Sequence, residues 1–157
     1  MPLEIERKFL LSSNMWKESI QQSTILKQGY LSKEIDKTIR IRIHGEQGKI
    51  TIKSRSVHNV RAEYEYDIPL QDAMELLDMF CDKKELVHKI RHIVVHDDHM
   101  WEIDEFIDHN KGLFLAEIEL QHPDEEVILP PWIGKEVSDD PRYSNSYLAQ
   151  HCIVDAV

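Results

Sequence analysis

Carboxylates recur in pairs separated by one residue along the 157-residue chain. The pairs are Glu4 and Glu6, Glu63 and Glu65, Glu102 and Asp104, and Glu117 and Glu119. On a β-strand, two such carboxylates lie about 6.6 Å apart on one face, and their repulsion is roughly 2–3 kcal/mol at an effective dielectric constant of about 20. A divalent cation removes this repulsion, and Mg²⁺ and Mn²⁺ prefer oxygen ligands. The four pairs therefore predict a site for one or two such ions.

Basic residues follow the same alternation in neighbouring segments. They are Lys8, Arg40, Arg42, Lys53, Arg61, Lys89 and Arg91. A guanidinium group binds phosphate oxygens in bidentate fashion, and a lysine adds a point charge. A short chain of phosphates, with metal ions on one side and these groups on the other, would satisfy both sets of charges. We therefore predict a small phosphate-chain ligand.

Most of the chain alternates with the period of a β-strand. Eight strands are predicted, over residues 3–11, 24–31, 38–44, 49–55, 61–68, 87–96, 100–107 and 112–121. Segments 45–48 and 97–99 predict hairpins between antiparallel strands. Helical spacing predicts three short helices, over 14–22, 71–81 and 144–152. The run from Pro130 to Gly134 is expected to break regular structure before the last helix.

The polar positions of these strands are charged almost throughout. Eight carboxylates and seven basic groups on one parity indicate that all eight strands turn a charged face the same way. If the sheet closes into a barrel, that face lines the interior, which has room for side chains or one small ligand. The apolar face must then be covered by the three helices and the loops. The chain contains no linker or repeat, so we predict one domain over residues 1–157.

The overall charge is acidic. The chain has 29 Asp and Glu against 19 Lys and Arg, a net charge of −10, which argues against a surface that coats nucleic acid. Its apolar stretches are far shorter than the ~20 residues needed to span a bilayer, and charges occupy the N-terminus where an export signal needs an apolar core. We therefore expect no nucleic-acid or membrane partner and a cytoplasmic location.

The N-terminal motif Glu4-Ile5-Glu6-Arg7-Lys8-Phe9 resembles the Glu-x-Glu-x-Lys signature of the CYTH superfamily, the triphosphate tunnel metalloenzymes. Further motifs follow in order: Gln28-Gly29-Tyr30-Leu31, Ile39-Arg40-Ile41-Arg42, Thr51-Ile52-Lys53, Arg61-Ala62-Glu63-Tyr64-Glu65, Lys89-Ile90-Arg91, Glu102-Ile103-Asp104 and Glu117-Ile118-Glu119. The resemblance covers nearly the whole chain. It implies an α+β fold in which an eight-stranded antiparallel β-barrel forms a closed tunnel, and activity on triphosphates with Mg²⁺ or Mn²⁺.

The resemblance also implies roles for individual residues. It assigns metal binding to Glu4, Glu6, Glu117 and Glu119. Glu63, Glu65, Glu102 and Asp104 match further acidic tunnel positions and are also candidate metal ligands. It assigns phosphate binding to Lys8, Arg40, Arg42, Lys53, Lys89 and Arg91, to which the alternation adds Arg61. Catalysis is expected to involve Glu4, Glu6, Lys8 and Tyr30. Tyr30 would position the substrate or plug one end of the tunnel, unless it is an ordinary strand tyrosine in the apolar cover.

The chain most resembles the small bacterial tripolyphosphatases of this superfamily. The resemblance thus implies hydrolysis of inorganic tripolyphosphate by attack of a metal-activated water on a terminal phosphate. The alternatives are a class IV adenylate cyclase, a thiamine triphosphatase and a non-catalytic polyphosphate- or nucleotide-binding module. Such a module would have lost one of the two metal-binding pairs, but both Glu4 with Glu6 and Glu117 with Glu119 are present here. The resemblance alone also suggests a homodimer.

Overall fold

The computed structural model describes residues 1–154, within which there are nine β-strands and two α-helices. The strands are β1 (Leu3–Leu11), β2 (Ile20–Glu34), β3 (Lys37–His44), β4 (Gln47–Ser54), β5 (Val60–Ile68), β6 (Val87–His96), β7 (His99–Ile107), β8 (Phe114–Glu119) and β9 (Ile133–Glu136). The helices are α1 (Leu70–Phe80) and α2 (Asn145–Gln150), and 3₁₀ turns occur at Met15–Ser19, Lys83–Glu85 and Pro141–Tyr143. In this part of the chain, no helix has the length and apolar character needed to cross a membrane.

Eight of the strands close into an antiparallel barrel. Their hydrogen-bonded order is β5, β4, β3, β2, β6, β7, β8 and β1, and a further pairing of β1 with β5 closes the circle. At the closure Glu4 lies opposite Arg61, and on the other edge of β1 Lys8 lies opposite Glu117. The prediction of an α+β fold with an eight-stranded antiparallel barrel is confirmed.

The charged parity of the strands faces the barrel interior, as predicted. Its buried members are Glu4, Lys8, Arg40, Arg42, Lys53, Lys89, Arg91, Asp104 and Glu117. The apolar parity packs outside the barrel, where Phe9, Trp101 and Trp132 are the largest side chains of the main core cluster after Trp16. Two hydrophobic clusters, one around Trp101 and one around Leu77, lie on this outer face. A third cluster includes Phe106 and Leu115, which share the parity of the charged residues, and it packs against Leu148 of α2.

The apolar cover is less complete than predicted. Tyr66 and Ile52 remain 58% and 39% exposed, and Ile25 remains 62% exposed. The reason is the size of α1, whose 11 residues lie mainly against β3 and β4 and bury only Ala73 and Leu77. Part of the outer face of β2, β4 and β5 therefore contacts solvent.

The predicted helix over 14–22 is wrong. The segment forms only the 3₁₀ turn Met15–Ser19, and β2 already begins at Ile20. The physical reason is the length of β6, which runs to His96, so that Ile20 pairs with Val94 and Gln22 with Ile93. Pairing with β6 gives the backbone from Ile20 onward its hydrogen-bond partners. The 3₁₀ turn before it is stabilised by Trp16, which is completely buried.

The other two predicted helices are present. The helix over 71–81 corresponds to α1, and its close approach to β4 requires Gly48, because a Cβ there would lie 2.8 Å from the Cβ of Ala73. The helix over 144–152 is shorter than predicted and corresponds to α2. The side chain of Ser144 caps it by accepting a hydrogen bond of 3.2 Å from the Tyr147 N–H.

A ninth strand occupies part of the region predicted to be irregular. Pro130 and Pro131, which lack N–H donors, remain outside it, but Ile133–Glu136 forms β9. This strand pairs with the C-terminal half of β1, where Leu11 lies opposite Ile133. The predicted hairpins at 45–48 and 97–99 are both confirmed, with left-handed backbone at Gly45 and Asp97.

Candidate active site

Two chambers lie in and beside the barrel, and a third, small cavity, called the constriction below, shares Lys8 with one and Lys53 with the other. The inner chamber has a volume of about 260 Å³ and lies among the inward-facing side chains of the strands. The outer chamber, of about 460 Å³, lies beside α2 and the 3₁₀ turn Pro141–Tyr143. The constriction, about 40 Å³, includes Tyr30 and Asn145 in its lining.

Most of the predicted site residues meet in these cavities. The inner chamber is lined by Glu4, Glu6, Arg40, Arg42, Lys53, Glu63, Glu65, Arg91, Glu102, Glu117 and Glu119. Lys8, Tyr30 and Arg61 line the constriction. The Nζ of Lys8 donates to the Tyr143 carbonyl at 2.9 Å and lies 3.4 Å from Glu117. The strand alternation has therefore brought residues from seven strands into one space.

Two predicted site residues, Lys89 and Asp104, line none of these cavities. Asp104 accepts two hydrogen bonds from Arg91 at 2.8 and 2.9 Å, and its Oδ2 lies 2.7 Å from the Nζ of Lys89. Lys89 is fully buried, and burial lowers its pKa to about 7. These two side chains support the wall of the chamber, where Asp104 orients the guanidinium of Arg91.

The strand register places like charges directly opposite each other in the inner chamber. Glu6 lies opposite Glu119, and Glu102 opposite Glu117. Directly opposed side chains have Cβ atoms about 4.5–5.5 Å apart, so such pairs repel each other. Burial, with the charges of Glu117 and Glu4, raises the pKa of Glu6 to about 7. Arg61 lies 3.9 Å from Glu6, and Lys8 and Lys53 also favour its ionised form, but burial and the neighbouring carboxylates outweigh them.

Other carboxylates in the chamber are held by cations. Both oxygens of Glu4 accept hydrogen bonds of 3.1 Å from the Nζ of Lys53, and Arg61 donates a third of 3.1 Å. Burial opposes ionisation, but Glu63, Lys53 and Arg61 together lower the pKa of Glu4 far below its ordinary range. Burial and the hydrogen bond with Glu4 raise the pKa of Glu63 to about 7. Glu63 therefore binds a proton more readily than Glu4 does.

Arginines concentrate positive charge on another side of the inner chamber. Arg42 is buried, donates to the Gln28 Oε1 at 2.7 Å and forms no ion pair with a carboxylate of residues 1–154. Burial and the charges of Arg40 and Arg91 lower the pKa of Arg42 to about 9. The Nε of Arg40 is also buried without a hydrogen-bond partner in this part of the chain. Unpaired buried guanidinium donors are costly, so this side of the chamber is built to bind an anion.

The acidic side has the chemistry of a site for a hard divalent cation. Within residues 1–154 no three His, Cys, Asp or Glu side chains have the arrangement of a metal site, because lysines and arginines hold several of the carboxylates. Glu6 and Glu119 face each other, however, and burial together with neighbouring carboxylates raises the pKa of both. Carboxylate oxygens are ligands that Mg²⁺ and Mn²⁺ prefer, and a cation among these side chains would offset their like charges, so the residues present fit either ion.

Sequence reasoning missed three residues that line the inner chamber: His44, Lys49 and Asn145. His44 continues the alternation of Arg40 and Arg42, and Lys49 precedes Lys53 on the same parity, so extending each pattern by one step would have found them. Asn145 has no such signal, because it belongs to α2 and reaches the chamber only through the placement of that helix.

A closed antiparallel barrel with a charged interior, acidic on one side and basic on another, defines the class of this protein. The CYTH domain model matches residues 2–146, and the chain belongs to this family. It is similar to an inorganic triphosphatase of Acetivibrio thermocellus, with 41% identity over 153 residues and 96% of each chain covered. An inorganic triphosphatase of Nitrosomonas europaea is 35% identical over 150 residues, which cover 93% of this chain and 96% of that protein.

A solved structure agrees with the barrel. The crystal structure of an inorganic triphosphatase superposes with a TM-score of 0.68 at 32% sequence identity, covering 94% of this chain and 98% of the other. Together these findings confirm the resemblance to the CYTH family that the motifs predict.

Proposed function

We propose that this protein is an enzyme that hydrolyses triphosphates, with inorganic tripolyphosphate as its substrate and Mg²⁺ or Mn²⁺ as its cofactor. The observation that carries the proposal is Arg42, a buried guanidinium without a carboxylate partner in residues 1–154, facing the same chamber as the opposed Glu6 and Glu119. A phosphate chain with its metal ion satisfies both sides at once. The similarity to two inorganic triphosphatases supports this choice of substrate.

The polarity of the inner chamber supports a substrate without an organic group. Apart from His44 and Asn145, every residue that lines it is charged. Among residues 1–154, no Tyr, Phe or Trp lies in its lining to stack on a base or a thiazolium ring. An inorganic phosphate chain is therefore the ligand that this chamber fits best.

Each side of the chamber has a distinct part in the proposed reaction. Glu4, Glu6, Glu117 and Glu119 would hold the metal, which when bound supplies a water of lowered pKa and positive charge at the phosphate oxygens. The guanidinium groups of the basic side bind the phosphate oxygens and offset charge on the transferred and leaving groups, where most catalysis of phosphoryl transfer arises. The surrounding barrel wall limits the access of bulk water, so these interactions are stronger than in solution.

The test is a comparison of products. The purified protein, stripped with EDTA, is incubated with tripolyphosphate, ATP or thiamine triphosphate, each with Mg²⁺ or Mn²⁺, and phosphate, diphosphate and cyclic AMP are measured. We expect metal-dependent release of phosphate and diphosphate from tripolyphosphate. Cyclic AMP without phosphate release would instead identify a cyclase, and binding without turnover a non-catalytic module.

Matched variants assign the activity to the chamber. Glu6→Gln should abolish metal-dependent turnover while the circular dichroism spectrum stays that of the wild type. Glu136→Gln is the control, because Glu136 lies outside the chamber in an ion pair of 2.8 Å with Arg7. Near-wild-type turnover of the Glu6 variant would refute the proposed site. A single domain over residues 1–157, a cytoplasmic location and a homodimer stay predictions.

A further inference from the structure

Asn145, the first residue of α2, lines both the inner chamber and the constriction. Arg40 and Lys53 also line both spaces. Asn145 is thus the one residue of α2 that reaches the inner chamber within the described chain. Its amide lies beside the cations that the proposed function assigns to phosphate.

The orientation of this amide follows from its neighbour. The Nζ of Lys89 lies 2.9 Å from the Oδ1 of Asn145. Lys89 donates this hydrogen bond, and its ammonium form can only donate, so the oxygen of the amide faces Lys89. Lys89 is completely buried, and its Nζ lies 2.7 Å from Asp104, so its position is restrained. The hydrogen bond from Lys89 therefore also restrains the orientation of the Asn145 amide.

The opposite atom of the amide, Nδ2, carries two N–H donors. Neither donates to a protein acceptor in residues 1–154, although the Oδ1 of the same group is bonded. Nδ2 is also not sealed from solvent in the way that the unpartnered Nε of Arg40 is. The two donors therefore face the cavity, where an oxygen-rich ligand would satisfy them.

We propose that Asn145 binds substrate by donating a hydrogen bond from Nδ2 to a phosphate oxygen in the inner chamber. This inference rests on the proposed function and extends the phosphate-binding set from the barrel strands to α2. A neutral donor suits this position, because Arg40, Lys53 and Lys8 already supply positive charge around the constriction. In this proposal the residue contacts substrate through its side chain, not through the backbone of the helix.

The test uses two substitutions of Asn145 that separate binding from folding. Asn145→Asp keeps an oxygen acceptor for Lys89, so α2 stays docked and the melting temperature should not fall, but the variant lacks both donors and adds a negative charge. Asn145→Leu removes the donors without adding charge. A hydrogen bond to a charged group contributes about a tenfold to hundredfold change in affinity. We therefore expect kcat/KM for tripolyphosphate to fall about tenfold to hundredfold in the Leu variant and further in the Asp variant.

Gln150→Glu is the matched control. It makes the same amide-to-carboxylate change on the same helix, but Gln150 lines only the outer chamber. Its kcat/KM should stay within about twofold of the wild type. The inference is overturned if both Asn145 variants also stay within twofold, or if the Gln150 variant loses as much as Asn145→Asp. If the wild type itself does not hydrolyse tripolyphosphate, it is the proposed function that fails.

Discussion

Glu6→Gln should make the metal-free protein more stable, and this gain should depend on pH. Burial and the charges of Glu117 and Glu4 raise the pKa of Glu6 from its ordinary 4.5 to about 7. Below pH 4.5 the carboxyl is protonated in both the folded and the unfolded state and contributes nothing. As the pH rises from 4.5 to about 7, the unfolded state releases the proton first, so the free energy of unfolding falls.

The magnitude follows from the width of that pH interval. Each pH unit contributes about 1.4 kcal/mol, so ionised Glu6 destabilises the folded state by about 3 kcal/mol at pH 8 and by about 1 kcal/mol at pH 5. Glutamine has similar size and no charge, so the variant should gain these amounts. At about 2–4 °C per kcal/mol for a chain of this size, the melting temperature should rise by about 6–12 °C at pH 8.

The assay is urea unfolding in EDTA at pH 5 and pH 8, followed by circular dichroism. Glu136→Gln is again the control, but with the opposite sign, because the hydrogen bond from Arg7 lowers the pKa of Glu136. Replacing the Glu136 carboxylate should therefore not raise the free energy of unfolding at pH 8. A gain of the same size at both pH values for Glu6→Gln, or no gain at pH 8, would refute the view that ionisation of Glu6 destabilises the metal-free fold.

Three further substitutions test other parts of the barrel. Arg42→Gln should lower kcat/KM for tripolyphosphate by about a hundredfold or more without lowering the melting temperature; a fall in stability with intact kinetics would contradict the anion-binding role. Asp104→Asn leaves two buried cations without their main counter-charge and should cost about 3–5 kcal/mol in urea unfolding at pH 7; a loss below about 1 kcal/mol would show that the pairing is dispensable. Gly48→Ala should cost about 1–3 kcal/mol, since its Cβ would meet Ala73 at 2.8 Å; unchanged stability would mean that α1 moves freely away from β4.

Local periodicity was sufficient to predict most of the barrel. The alternation in Arg40 and Arg42, or in Glu117 and Glu119, identifies a strand and the side chains that share its face, because the period of two is a property of the extended backbone. The same reasoning failed at residues 14–22. There the helical spacing of Trp16 and Ile20 is real, but pairing with the long β6 favoured a strand from Ile20 onward.

Alternation predicts the face on which a side chain lies, but not how far along the barrel it sits or what it meets there. Lys89 and Arg91 share one parity, yet Arg91 lines the inner chamber while Lys89 is sealed behind its wall with Asp104. Asn145 lines the chamber without being predicted to, because no periodic pattern in the sequence connects α2 with the barrel interior.

By itself the sequence determined the chemistry of the barrel interior: which groups are acidic, which are basic and that both face inward. Only the tertiary structure decided which of them oppose each other, since strand register joins residues far apart in the chain. In the folded barrel Glu6 lies opposite Glu119, and Asp104 accepts a hydrogen bond from Arg91. Arg42 pairs with no carboxylate of the described residues and donates to Gln28 instead. Those pairings depend on barrel closure, which places side chains within the few ångströms over which charge and hydrogen bonding act in a buried space.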